Sequence, residues 1–397
     1  MEPIFWLSIF IVFYTFLGYG ILLYILVLIR RAVKGRRVPP GLDQDFPTLT
    51  LVIAAYNEES IIEEKIRDTL QLSYPQGKLS ILFVTDGSSD RTPDIIARYP
   101  ELRLMHTPAR SGKIQAIHRA MHEVDSEVVV FTDANTFLNQ DALLLIARHY
   151  ADPTVGAVSG EKRVMQDAVS DATAGEGFYW KYESALKRWD SELYSVVGAA
   201  GELFSVRRAL YRQVEPDTIL DDFMISMLIA SQGYRIVYEP DAYASETSSD
   251  NIQEELKRKV RIAAGGIQSI TRLGKLLNPV SYPVLSFQYI SHRVLRWTVT
   301  PFLMILALLL NIAIMAMVGG ALYAIILIAQ LLFYTLALAG WIMERRKIKV
   351  KAFFVPYYFC VMNYAVLAGI RRYLGGRQSA AWDKAKRKSV QPHSAGL

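Results

Sequence analysis

Four long apolar runs without a single charge limit what this chain of 397 residues can become. The first runs from Ile4 to Ile29, longer than the roughly 20 residues a helix needs to cross a bilayer. A cleavable secretory signal would carry basic residues ahead of a shorter apolar stretch and a small-residue cleavage site behind it. Here Glu2 comes first, and Arg30, Arg31, Lys34, Arg36 and Arg37 follow. The run therefore reads as an uncleaved anchor, with its N-terminus outside and the next domain in the cytoplasm.

Three further runs occur at about Val299–Val318, Ala321–Met343 and Phe353–Ile370. Gly319 and Gly320 suit a tight turn between the first two. The basic stretch from Glu344 to Lys351 suits an inner loop after them. The last run is short and contains Pro356 and Asn363, so a re-entrant segment competes with a span; a span is the expectation. It would place the basic tail outside, against the positive-inside rule, so the side of the C-terminus stays open. The resulting division is an anchor at 1–37, a soluble domain at 38–275, interfacial amphipathic helices at 276–298, about three spans at 299–372 and a tail at 373–397. The net charge of +6 comes mostly from clusters flanking the spans. It points to topology and anionic lipid, not nucleic acid. Cys360 is the only cysteine and lies inside an apolar run, which excludes a disulfide framework and a thiolate metal site.

Between Thr48 and about Val164 the pattern alternates strand and helix. Strand-like runs are LTLVIAA (49–55), LSILFVTD (79–86), LRLMHT (102–107), EVVVFTD (127–133) and VGAVSG (155–160). Ser60-Ile-Ile-Glu63 matches a capping box, and Thr92 followed by Pro93 reads as a helix start. Ile114, Ile117, Met121 and Val124 mark one helix face. Strands that are apolar throughout, separated by helices, imply a parallel sheet covered on both faces. Such sheets bind ligands at the carboxyl ends of their strands.

Those ends carry Tyr56, Asn57 and Glu58; Asp86 and Asp90; Arg110 and Lys113; and Asp133 with Asn135. One polar strand end is usually a solvated loop, but four together point to a ligand. Neither GxGxxG nor GxxxxGK[ST] occurs in these turns, so a glycine cradle for phosphates is missing. Lys113, Arg110 and a divalent metal could balance two phosphates instead. Asp133 and Asn135, pointing the same way two residues apart, offer the hard oxygens that Mg2+ or Mn2+ accepts beside substrate phosphates. Asp86 can accept a nucleobase N–H, and Tyr56 can flank a ring.

The ordered motifs AAYNEE (54–59), TDGSSDRT (85–92), SGK with AIHRA (111–120), FTDAN (131–135), GAAGELFSVRR (198–208) and LDDF (220–223) closely resemble those of the family 2 glycosyltransferases. With its flanking spans the chain is similar to the membrane-embedded branch: cellulose, hyaluronan, chitin-oligosaccharide and poly-N-acetylglucosamine synthases. The resemblance covers roughly residues 48 to 300. It implies an α/β GT-A domain, Rossmann-like with a mostly parallel sheet, beside transmembrane helices. It implies a metal-dependent hexosyltransferase in a bacterial or archaeal plasma membrane, using Mg2+ or Mn2+ to move sugar with inversion from a UDP-sugar to a hydroxyl of a growing glycan.

By that resemblance Asp86 binds the nucleobase, and Tyr56 and Glu58 help hold the uridine. Lys113 joins the diphosphate, and Asp133 and Asn135 take the Asp-x-Asp metal motif with one charge fewer. Asp222 falls on the catalytic base, with Asp221 replacing a glutamate. The two also suit the N-terminus of a helix, stabilised by its dipole. The Gln-x-x-Arg-Trp motif survives only as Arg258-Lys-Val-Arg261-Ile262, where Arg258 and Arg261 would supply cations. Trp180 and Glu183, in an aromatic helix shared with Tyr179 and Tyr182, could line an acceptor site or pack a core. Gly201, Glu202 and Asp221 complete the expected acceptor side. Arg296-Trp297 reads as an interfacial pair, and His292 has no clustered partner in the sequence.

Within this reading, a single-addition enzyme acting on a lipid-linked acceptor competes with a polymer synthase, which is slightly favoured. A non-catalytic nucleotide-binding scaffold would have lost a key carboxylate, and Asp86, Asp133 and Asp222 are all present. A transporter would need polar residues at mid-membrane, and the C-terminal runs offer only Asn311, Gln330 and Asn363. An accessory subunit or a homo-oligomer remains open.

Overall fold

The strand-like runs do pair, but not as one parallel sheet. A computed structural model describes residues 1–165, 174–247, 252–346 and 350–376. They divide into a sheet unit (36–165, 194–247, 252–255) and a helical unit (1–35, 174–193, 256–346, 350–376).

The sheet unit has eight strands: β1 Leu49–Ala55, β2 Leu79–Asp86, β3 Arg103–Thr107, β4 Val128–Asp133, β5 Phe137–Leu138, β6 Val155–Met165, β7 Leu203–Arg207 and β8 Arg235–Thr247. Their order is β3-β2-β1-β4-β7-β6-β8-β5. The run β3-β2-β1-β4 is parallel, as is β6 with β8. β7 lies antiparallel between β4 and β6, and β5 antiparallel to β8. The motif segment 198–208 was given no strand in the sequence reading. Instead its apolar end LFSVR is buried as β7, with Phe204 stacked on Phe131 at 4.9 Å between centroids. Core burial of Leu51, Ile53, Phe83 and Val130 against Ile62, Ile66 and Ile146 holds the sheet, each side chain contributing about 1.5–3 kcal/mol.

Register decides where the polar strand ends lie. Ala54 pairs with Asp133, Ala55 with Thr85 and Asp86 with Thr107, so the ends of β1 to β4 fall on one level. Two helix starts differ from the sequence reading. The first helix after β1 is Ile62–Leu70, and Ser60 does not cap it. The Glu58 backbone carbonyl accepts the Ile61 and Ile62 N–H groups, at 3.0 and 2.9 Å. In the helix Thr92–Ile96 Thr92 is the first helical residue, not the cap, and its N–H donates to Asp90 Oδ1 at 3.0 Å. The Thr92 hydroxyl is thereby left to accept the Glu58 N–H at 2.9 Å.

In the helical unit four helices are long and apolar enough to cross a membrane: Glu2–Lys34, Thr300–Met317, Ala321–Arg345 and Ala352–Leu374. The last run is one continuous helix with Pro356 inside it, long enough to span. Gly319 and Gly320 turn between two spans with φ of +74° and +118°. The Asn311 amide donates to Gln330 at 2.9 Å between those two helices, which joins two of the polar residues of the apolar runs. A Cβ on Gly340 would lie 2.4 Å from the Phe353 carbonyl oxygen, which lets two span backbones approach closely.

The helix Ala174–Leu193, expected inside the soluble domain, groups with the helical unit. Its Tyr182 hydroxyl donates to the Phe16 carbonyl of the first span at 2.9 Å. The segment expected as interfacial amphipathic helices buries one stripe of its residues, Leu285, Ser286, Gln288, Tyr289, Ser291, His292 and Trp297. Helix Pro283–Tyr289 continues through a π turn to Trp297 and carries His292 at 0% exposure. His292 does have clustered partners: Asp190 at 2.6 Å and Glu183 at 3.1 Å. Asp190 also accepts from Tyr19 of the first span at 2.5 Å and from Gln288 at 3.0 Å. Arg293 and Arg296 pair with Glu183 at 2.9 and 3.0 Å. Trp297 is buried against Gly266, so the Arg296-Trp297 pair is an internal tie here, not a headgroup anchor. Sequence spacing could not show this, since the partners of His292 lie about a hundred residues away.

Candidate active site

The site of the sheet unit forms around the turn that enters helix Lys113–Glu123. Gly112 caps that helix with φ +95°, a conformation any other L residue would strain. The turn faces two strand ends. Asp86 Oδ2 accepts the Ser111 and Gly112 N–H groups at 2.8 and 2.6 Å. Asp86 Oδ1 accepts from Arg119 at 2.8 Å. One residue further, Lys113 Nζ donates to Asp133 Oδ1 at 2.7 Å and lies 3.8 Å from Asp221 Oδ2. A single turn thus links the end of β2 to the end of β4 and to the start of helix Asp221–Ala230.

Electrostatics follow from this crowding. Burial disfavours the Lys113 ammonium, but Asp133, Asp221 and Asp222 overcome it and hold the lysine protonated. Burial, followed by the charge of Asp221, pushes Asp222 up to about 7; Lys113 and the Phe223 N–H act in the opposite direction. Gly201 sits directly on Asp222, since a Cβ there would lie 3.0 Å from Asp222 Oδ2. The neighbouring Glu202 accepts from Lys162 at 2.6 Å, and Lys162 also pairs with Glu246. The Glu202 carbonyl accepts from Thr132 at 2.8 Å, tying the Gly201-Glu202 turn to the end of β4.

Tyr56, Asn57 and Glu58 leave β1 beside the β2 turn. Asn57 adopts φ +54°, and its Oδ1 accepts the Ser89 N–H at 2.8 Å. Gly87, at φ +69°, is required twice over: a Cβ there would also meet the Arg110 backbone at 2.7 Å. The Arg110 guanidinium lies over the Tyr56 ring at 4.0 Å, whereas Lys113 reaches the Asp133 carboxylate.

Of the residues named from sequence, the sheet unit brings Asp86, Lys113, Asp133, Asp221, Asp222, Gly201 and Glu202 into this connected set, with Tyr56, Glu58 and Asn135 on its loops. Trp180, Glu183, Arg258 and Arg261 belong to the helical unit. Glu183, expected at an acceptor site, is 5% exposed and occupied by His292, Arg293 and Arg296. Burial opposes its charge, yet those three groups hold its carboxyl well below the usual range. Trp180 has Lys259 over its ring at 5.6 Å. The side chain of Tyr179 falls outside the described residues.

Arg119, Lys162 and Lys65 were not foreseen. Each reads in sequence as an ordinary surface charge, and each is placed only by the tertiary structure. His118 and Tyr211, ring to ring at 6.3 Å, were missed as well. His118 Nε2, the Tyr211 hydroxyl and Asp221 Oδ2 are buried without a hydrogen-bond partner.

Residues 50–215 match the model for "Glycosyl transferase family 2". That match covers the part of the sheet unit from β1 to β7. The chain is 28% identical over 216 residues to the beta-monoglucosyldiacylglycerol synthase of Synechocystis sp., covering 50% of this chain and 44% of that one. It is 27% identical over 231 residues to the poly-beta-1,6-N-acetyl-D-glucosamine synthase of Staphylococcus aureus, covering 56% of each. The chain thus spans about half the length of these relatives. Its fold matches that of the mannosyltransferase PcManGT from Pyrobaculum calidifontis, solved with GDP-Man and Mn2+, with a TM-score of 0.71. The match covers 94% of this chain and all of the other at 24% identity. The fold is therefore GT-A-like, with four apolar helices that could span a membrane.

Proposed function

We propose that this chain moves a sugar, with inversion, from a UDP-sugar to an acceptor hydroxyl at a membrane surface, the sheet unit facing the cytoplasm. The observation that carries the reading is the turn Ser111–Lys113, which joins Asp86 to the Asp133, Asp221 and Asp222 carboxylates within one connected network. A nucleobase reader, a diphosphate cation and a base for the acceptor are the three functions such a donor requires.

Asp86 favours a uracil donor. A carboxylate oxygen offers two acceptor positions. Two amides fill those of Oδ2 and Arg119 fills one of Oδ1, leaving a single further acceptor. That suits the one ring N–H of uracil better than the paired donors of guanine. Tyr56 and Glu58 lie on the adjoining loop.

The residues at the end of β4 fit a divalent cation. Asp133 and Asn135 present hard oxygens, and among the described residues no cluster of three His, Cys, Asp or Glu side chains forms a complete cage. The remaining ligands would then come from the donor diphosphate and water, as Mg2+ or Mn2+ commonly requires. When bound, the cation would neutralise charge building on the leaving diphosphate, with Lys113 beside it. Asp222 takes the proton of the acceptor hydroxyl as its oxygen attacks the anomeric carbon. Burial and Asp221 keep its basicity near neutral pH, high enough to accept that proton. Gly201 and Glu202 shape the acceptor side, whereas Glu183 is assigned to the helical unit's internal tie.

A growing glycan is the favoured acceptor, in keeping with the poly-N-acetylglucosamine synthase relative. The glycolipid synthase relative favours a second reading, single addition to a lipid-borne hydroxyl. The test is UDP release by the purified full chain from a panel of UDP- and GDP-sugars with Mn2+ or Mg2+, with the product sized. Asp222→Asn should lower turnover by about 10²–10⁴-fold. Equal turnover by wild type and Asp222→Asn, or release from GDP-sugars alone, overturns the reading.

A further inference from the structure

Helix Ile62–Leu70 packs on the sheet through Ile62, Ile66 and Thr69, and Lys65 lies on the same stripe at 0% exposure. Helical periodicity asks for an aliphatic residue there. Burying an ammonium is costly unless it is well bonded. Lys65 Nζ donates to the Thr136 carbonyl at 2.6 Å. Thr136 ends the turn that begins at Asp133: its N–H and hydroxyl reach the Asp133 carbonyl at 3.3 and 2.9 Å. Three residues along the helix from Lys65, Asp68 accepts the Leu138 N–H at 3.2 Å. One helix therefore grips both a carbonyl and an amide of the strand-end loop that carries Asp133 and Asn135.

We propose that Lys65 is a positioning residue for the diphosphate and metal loop, fixing the turn that aims Asp133 and Asn135 from beneath the sheet edge. The proposal rests on the reading of those two residues given above. Lys65 touches neither donor nor cation; it acts through the Thr136 carbonyl. Burial lowers its basicity to about 8, while Asp68 and Asp133 draw it back toward the charged form, so the ammonium also lends positive potential under Asp133.

The experiment is titration calorimetry on the detergent-solubilised full chain with UDP plus Mn2+ and, separately, with uridine, alongside thermal unfolding. Lys65→Met keeps length and loses the donor; Lys65→Gln keeps an N–H for the carbonyl. Lys65→Met is expected to weaken Mn2+-dependent UDP binding by about tenfold, with uridine binding unchanged and Lys65→Gln recovering most of the loss. A side chain that merely fills the core would give the opposite order, Met at least as good as Gln. Should Lys65→Met fail to fold, Lys65→Gln decides by a smaller loss, about threefold, confined to UDP. Parity of Lys65→Met with wild type (or of Lys65→Gln, where only that variant folds), or an equal loss for uridine, overturns the inference alone. Failure of the wild type to bind UDP overturns the proposed donor and this inference with it.

Discussion

Replacing Asp221 with asparagine should move the acid limb of the transferase's pH profile downward. Asp222 must be ionised to accept a proton, and its basicity is raised to about 7 by burial and by Asp221. Below that value it is protonated, so kcat/KM should fall about tenfold per pH unit, and it should level off above. Neighbouring carboxylate charges in an effective dielectric of about 20 repel by roughly 3 kcal/mol, or about 2 pH units. Partial exposure screens part of this, leaving about 1 unit. Losing Asp221 also frees Lys113, which lies 3.8 Å from it, to act more strongly on Asp222. Both effects lower the basicity of Asp222. The assay is initial-rate UDP release at subsaturating donor from pH 5 to 9, comparing wild type with Asp221→Asn, with donor affinity measured separately. The acid midpoint should drop by about 1 unit while the plateau above pH 8 changes less. A midpoint that stays put or rises would refute Asp221 as the neighbour that tunes the base.

Gly201→Ala places a Cβ 3.0 Å from Asp222 Oδ2 and should lower kcat by about 10-fold or more through displacement of the base, with little change in thermal stability. Asn135→Asp restores a second carboxylate at the end of β4, and half-maximal activity should need several-fold less Mn2+, read from a metal titration; an unchanged requirement would argue against Asn135 as a ligand. Glu183→Gln leaves Arg293 and Arg296 buried without their counter-charge and should cost about 3–5 kcal/mol, read by thermal unfolding in detergent. Because the Glu183 carboxyl titrates lower when folded, its contribution is complete above its unfolded value of about 4.3 and is lost as pH falls through the folded value; the variant should show a flatter acid limb of stability.

The sequence by itself determined the apolar spans, the alternation of strand and helix, and most of the carboxylates and the lysine at the strand ends. These are local signals: run length, period, and a polar residue closing an apolar strand. Asp86, Lys113 and Asp133 were legible for that reason. Tertiary structure alone decided that LFSVR inserts antiparallel between β4 and β6, that Arg119 holds Asp86, that Lys65 grips the Thr136 carbonyl, and that Glu183 and Asp190 enclose His292. A charged side chain looks the same in sequence whether it meets water or a buried carbonyl. Its role depends on which groups from other elements lose their water around it, and only packing sets that.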